Sequence, residues 1–201
     1  MNLQSIVTHS KRDYKKQASL TKRQNKLQQK FQVFEPNQVW VSDTTCFRVK
    51  GKFYYICIII DLFSRRVVAH GISPKHSTYL ISSTMKRALN SRGHPQNLTF
   101  HSDQGCQFTS KVFQTLLYVN NIVQSLSRTG KPHDNAVAEA FFSSLKKEEL
   151  YRTNYKSERE IHESVDKYVI FYNTQRPHGT IAYKTPEQFE ELHRGEQREV
   201  S

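Results

Sequence analysis

Three acidic residues stand out for the chemistry they could share: Asp43 in WVSDTT, Asp103 in FHSDQG and Glu139 in HDNAVAEAFFSSLKKE, with 35 residues between the last two. Three converging carboxylates can hold a pair of hard divalent cations, and such a pair supports phosphoryl transfer on nucleic acid. Each acid also has a plainer reading. Asp43 could begin a turn or cap a neighbouring element. Asp103, followed by Gln104 and Gly105, could close an Asx-turn. Glu139 could belong to an ordinary charged helix face with Lys146, Lys147, Glu148 and Glu149.

The elements that must position these residues follow from apolar periodicity. On a strand alternate residues share a face, so Val39, Val41, Asp43 and Thr45 point one way, and an acid following two valines is unusual for a core strand. QVWVSDTTCFRV, GKFYYICIIIDLF and RRVVAHGIS read as an antiparallel meander, with turns at Lys50-Gly51-Lys52 and from Asp61 to Arg65. A helix from about Ser77 is stopped by Gly93, and NLTFHSD then forms a short strand ending at Asp103. Thr109 or Ser110 caps the next helix, and NIVQSL is another short strand. The polar RTGKPHDN segment precedes a long helix from about Asn135 to Leu150. On that helix Val137, Phe141 and Leu145 form an apolar row, while Glu139, Ser143 and Lys146 share another face. A further long helix opens at Ser157 in a capping box with Glu160, and a short one opens at Thr185-Pro186. The order predicts an α/β fold, a mixed five-stranded sheet flanked by helices.

Neighbouring polar residues receive structural roles. His101 shares a face with Asp103 and reads as a satisfied structural histidine. Asp61 reads as the start of a turn, and Asp134 and Asn135 as caps of the Glu139 helix. In YNTQRPHGTIAYKTPEQF, Arg176 and His178 are expected to bond carbonyls or carboxylates, the alternative being that Arg176 meets DNA or a second protomer.

Composition suits a polyanionic partner. The formal charge is +12, from 30 Lys and Arg against 18 Asp and Glu, and the pI is near 9.7. Eight cations and two acids fall in the first 36 residues, so residues 1–35 are read as a basic leader and 36–201 as one catalytic domain with C-terminal helices. No apolar run is long enough for a bilayer, and no signal peptide opens the chain. Cys46, Cys57 and Cys106 lack CxxC spacing, which fits a reducing cytoplasm.

The segments WVSDTT, IIDLFSRRVVA, FHSDQGCQF, SLSRTGKPHDNAVAEAFFSSLKKE and FYNTQRPHGTIAYKTPEQF together resemble the catalytic region of insertion-sequence transposases of the IS-three group, within the retroviral-integrase-like enzymes. The resemblance runs from about Pro36 to Phe189 and implies a ribonuclease H-like fold. It places Asp43, Asp103 and Glu139 as the catalytic, metal-binding triad, with Mg²⁺ or Mn²⁺ as cofactor, two ions in all. It further implies DNA end cleavage and strand transfer by direct phosphoryl transfer, and a homo-multimer on transposon ends and target DNA. Lys146 matches a DNA-binding lysine of the family, and Arg128 and Lys131 are further candidates for DNA contact. Members of the group normally carry helix-turn-helix segments upstream, whereas about 36 residues precede the first catalytic strand here. That difference suggests separately encoded segments or a truncated copy. The competing functions are a plain metal-dependent nuclease of the same fold and a catalytically silent DNA-binding or assembly module.

Overall fold

Two successive residues with positive φ, Lys50 (46°) and Gly51 (81°), reverse the chain in a two-residue hairpin whose twist matches the strands it joins. In the computed structural model, which describes residues 33–127 and 135–199, these strands are β1 (Val39–Val49) and β2 (Lys52–Asp61). They pair antiparallel from Trp40 opposite Asp61 to Val49 opposite Lys52. The next corner turns on Asp61 as expected. Its buried carboxylate accepts the Asn37 N–H at 2.6 Å and the Phe63 N–H at 2.9 Å, and burial pushes its pKa up to about 6. β3 (Val67–Ser73) then returns antiparallel along β2.

After the meander, helices and strands alternate. Helix α1 (Thr78–Ser91) begins where the Ser77 hydroxyl accepts the Leu80 N–H, and it ends ahead of Gly93 in the left-handed region (φ 67°). β4 (Thr99–Ser102) lies parallel to β1, and β5 (Val123–Leu126) lies parallel to β4. Helix α2 (Lys111–Val119) joins them, capped by Ser110. The sheet order β3-β2-β1-β4-β5 is the expected mixed five-stranded sheet.

Both faces of the sheet are covered, which explains the uninterrupted apolar run in β2. Trp40, Cys57, Ile59 and Phe100 pack with Leu80 and Met85 of α1 and Phe113 and Leu117 of α2. Val41, Ile56, Ile58 and Ile60 pack on the other side with Phe141, Leu145, Val165 and Tyr172. These belong to α3 (Ala136–Leu145) and α4 (Glu158–Thr174). The Ser157 hydroxyl accepts the Glu160 N–H at 3.2 Å, while the Glu160 carboxylate reaches back to the Lys156 N–H at 2.7 Å.

Two helices depart from expectation. The Glu139 helix is not α-helical through Leu150, because Lys146–Leu150 forms a π-helical turn in which the Tyr151 N–H bonds the Lys146 carbonyl at 2.9 Å. Leu145 and Leu150 occupy one core cluster, yet residues five apart on an α-helix diverge by about 140°. The wider turn brings both inward. The last helix, α5 (Pro186–Glu199), is 14 residues long and so not short. Its capping box is reciprocal, Thr185 and Gln188 each accepting the other's N–H.

Candidate active site

Asp43 lies in the middle of β1, opposite Ile58 and on the face that carries Val41. That is the face covered by α3 and α4, so the side chain points toward the helix that bears Glu139. It neither begins a turn nor caps another element. Its Oδ1 accepts the N–H of Thr44 at 2.7 Å.

The strand register brings Asp103 beside it. Val41 is level with His101 across the parallel β1–β4 pair. Asp43 and Asp103 each follow two residues later, so both reach the same end of the sheet on the same face. The Asx-turn at Asp103 is also present, because Oδ1 accepts the Gly105 N–H at 2.9 Å. A Cβ at Gly105 would sit 2.9 Å from that oxygen, so a larger residue there would displace the Asp103 carboxylate. His101 is fully buried with Nδ1 at 3.0 Å from the Ser125 hydroxyl, consistent with a structural role.

Glu139 is exposed in the first turn of α3, and Lys146 follows close to two helical turns later on the same side. Both are felt at Asp43. Burial is the largest influence raising the Asp43 carboxyl, which stands at about 7. The Thr44 N–H opposes that shift, the charges of Asp103 and Glu139 add to it, and Lys146 opposes it. Among the described residues, no three His, Cys, Asp or Glu side chains are grouped tightly enough to hold a metal ion. As placed, the three carboxylates share an electric field, not a coordination sphere. Arg128, Lys131 and Asp134 lie outside the described residues.

Asn135 corrects the expectation of a cap. It occupies the N-cap position of α3, but its side chain makes no capping bond. Instead its Nδ2 donates to the Ser42 carbonyl at 3.4 Å, in a nearly buried contact with the residue beside Asp43. The start of α3 packs directly on the β1 backbone, so the amide bridges helix to strand. Its Oδ1 is buried with no hydrogen-bond partner among the described residues. His76 was also not anticipated. Its Nε2 lies 3.0 Å from the Thr44 hydroxyl, its ring stacks on Tyr55 at 4.9 Å, and its carbonyl accepts from Gln107. It therefore joins the rims of the Asp43 and Asp103 segments. The 32 residues separating it from Thr44 left no local sequence signal.

Comparisons with known proteins bear on the family and the fold. One integrase core domain model matches residues 34–132 and a second matches residues 120–186. The transposase for insertion sequence element IS904 of Lactococcus lactis subsp. lactis (strain IL1403) is 34% identical over 179 residues, covering 88% of this chain and 70% of the relative. From Escherichia coli (strain K12), the putative transposase InsK for IS150 is 36% identical over 76% of this chain and 54% of its own length. The transposase InsF for IS3A is 35% identical over 83% of this chain and 58% of its own length. The chain thus spans between 54% and 70% of these relatives. Among solved structures, the HTLV-2 integrase catalytic core domain in complex with magnesium, in trimeric form, aligns with a TM-score of 0.64 at 20% identity. That alignment covers 79% of this chain and 99% of the other. A chain of the simian T-cell lymphotropic virus intasome gives 0.69 at 21% identity, over 79% of this chain and 56% of its own. The fold is ribonuclease H-like.

Proposed function

Because the chain belongs to the integrase core domain family, alongside transposases of insertion sequences, we propose that it is the catalytic domain of a DNA transposase. It would be a polynucleotidyl transferase that cleaves transposon ends and joins them to target DNA by direct phosphoryl transfer. One observation carries this reading: the β1–β4 register brings Asp43 and Asp103 to the same end of the sheet, and Glu139 and Lys146, from the helical run that covers that face, lie close enough to act on the charge of Asp43.

The donor set suits a hard divalent cation, since like-charged carboxylates repel one another until a cation relieves them. Asp43, Asp103 and Glu139 would hold it. The HTLV-2 core is complexed with magnesium, which supports Mg²⁺, with Mn²⁺ as a close substitute. Two ions bound there supply activation of the attacking oxygen and stabilisation of the leaving oxygen. The protein's own contribution is placement. Asp43 is fixed on a central strand with one oxygen oriented by the Thr44 N–H, and Asp103 is fixed by its Asx-turn. Lys146 offers a point charge for a DNA phosphate beside the carboxylates. Joining two ends calls for a homo-multimer on DNA.

The test is strand transfer with a pre-cut DNA end, target DNA and Mg²⁺. Joined products are expected, and Asp103→Asn should abolish them while DNA binding remains. Hydrolysis without joining would make the chain a plain nuclease. Binding without either reaction would make it an assembly module, and undiminished joining by Asp103→Asn would remove Asp103 from the mechanism.

A further inference from the structure

The π-helical turn that follows α3 has its own set of anchors. Glu148 and Glu149 are adjacent, and both turn toward the C-terminal helices. Glu148 Oε1 accepts from Arg176 Nη2 at 2.9 Å. Its Oε2 accepts from the Tyr168 hydroxyl at 2.8 Å and from Arg176 Nε at 3.3 Å. Arg176 also reaches Ser144 Oγ at 3.3 Å, one residue before the turn's leading edge at Leu145. Glu149 Oε1 accepts from the hydroxyls of Ser164, Tyr155 and Thr153. Lys146, the first residue of the turn, forms no ion pair among the described residues.

The chemistry of these contacts is directional. Residues two apart on a helical turn point to opposite sides, so holding Glu148 against α4 also sets the side on which Lys146 emerges. The guanidinium fork and the Tyr168 hydroxyl occupy both Glu148 oxygens, and the arginine bonds hold that carboxyl below its usual range. The acid therefore stays ionised and turned toward α4, while the lysine faces the carboxylates of the site.

We propose that Arg176, acting through Glu148, is a positioning residue that fixes the π-helical turn so that Lys146 is presented, unpaired, to a DNA phosphate. The inference rests on the DNA-transposase reading of the site. It gives the RPH segment a function without having it touch DNA.

The experiment compares how DNA affinity varies with salt in the full chain and in Lys146→Ala, Arg176→Ala, Glu148→Gln and Lys146→Ala/Arg176→Ala, at a temperature where each is folded by circular dichroism. Losing one phosphate contact lowers the log-log slope by about 0.9. Lys146→Ala should lose this amount, and Arg176→Ala should lose most of it. The double variant should lose no more than Lys146→Ala alone. Glu148→Gln, a milder change, should shift the slope in the same direction. Arg92→Ala breaks a different arginine–glutamate pair, with Glu190 of α5, and should leave the slope unchanged. An unchanged slope in Arg176→Ala and Glu148→Gln, an additive loss in the double variant, or an equal loss in Arg92→Ala overturns the positioning role. An unchanged slope in Lys146→Ala overturns it too, while strand transfer by the unmodified chain would leave the functional reading standing. Absence of strand transfer would count against the function alone, because the slope is read on binding.

Discussion

The Asp43 carboxyl is raised from its ordinary value of 3.8 to about 7, first because burial disfavours its charge and then because Asp103 and Glu139 repel it. Unfolded, the same carboxyl would ionise near 3.8. The folded state thus binds a proton that the unfolded state releases between about pH 4 and pH 7. The stability from that proton is fully present below the lower value and lost as pH rises through the upper one. In divalent-free buffer, the thermal midpoint should therefore carry a component that falls across this window. Asp43→Asn should flatten it and be more stable than the unmodified chain at pH 8, by about 1–4 kcal/mol. Asp61, raised to about 6, contributes the same sign, so the slope should shrink without vanishing. A slope identical in both proteins would assign the effect elsewhere. The placement of Asp43, Glu139 and Lys146 was legible because the strand and helix periods fix their faces. Asn135 was not. An asparagine ahead of a helix looks the same in sequence whether its amide caps the helix or bridges to a strand, and only the closeness of α3 to Ser42 decides.

At the scale of elements, the five strands and the principal helices could be read from alternation, caps and turn residues, and the β1–β4 register then accounts for the meeting of Asp43 and Asp103. The π-helical turn was hidden because Lys-Lys-Glu-Glu looks like the solvated end of an α-helix. The overlooked signal was the five-residue spacing of Leu145 and Leu150, with glutamates at the positions where an α-helix would put apolar groups. Close approach of α1 to β3 is another element-level property, and it depends on Gly71. A Cβ there would come within 2.3 Å of Thr84 Oγ1, 2.6 Å of Arg87 Nη2 and 3.0 Å of Leu80 Cδ1. The arginine tip can move away, but Thr84 is fully buried on α1 and bonded to the Leu80 carbonyl at 2.8 Å. Gly71→Ala should therefore push α1 outward and cost about 1–3 kcal/mol, measurable as a lower denaturant midpoint with unchanged m. No loss of stability would mean that the helix re-seats freely on the sheet.

Across the whole molecule, the C-terminal helix is held by a group that sequence reading would place in water. EQFEELHRGEQRE is dense in charge, yet Glu190 is buried, with its side chain 4% exposed. It accepts from the Ser64 hydroxyl at 2.7 Å and from Arg92 at 3.0 Å, and Arg66 lies 3.8 Å away. Phe63 packs on Phe189 and His193 beside it. One carboxylate thus ties α5 both to the β2–β3 corner and to the end of α1, a contact across 98 residues that no local pattern could reveal. Burial works to raise the Glu190 carboxyl, but the bonds and charge of Arg92, with Ser64 and Arg66, hold it below its usual value. Its contribution is therefore present above the ordinary glutamate range and lost as pH falls through the lower folded value. Removing one partner of such a cluster leaves cationic groups half-buried without their counter-charge, which costs about 3–5 kcal/mol. Glu190→Ala should lower the thermal midpoint at pH 7 by that equivalent, and the deficit should narrow toward pH 3. Metal-dependent strand transfer, assayed below the new midpoint, should persist, because Glu190 bonds the β2–β3 corner and the end of α1 and not the Asp43 or Asp103 segments. An unchanged midpoint would show that the ring contacts alone hold α5. Transfer lost in a protein still folded would instead make the docking of α5 part of how the sheet presents its carboxylates.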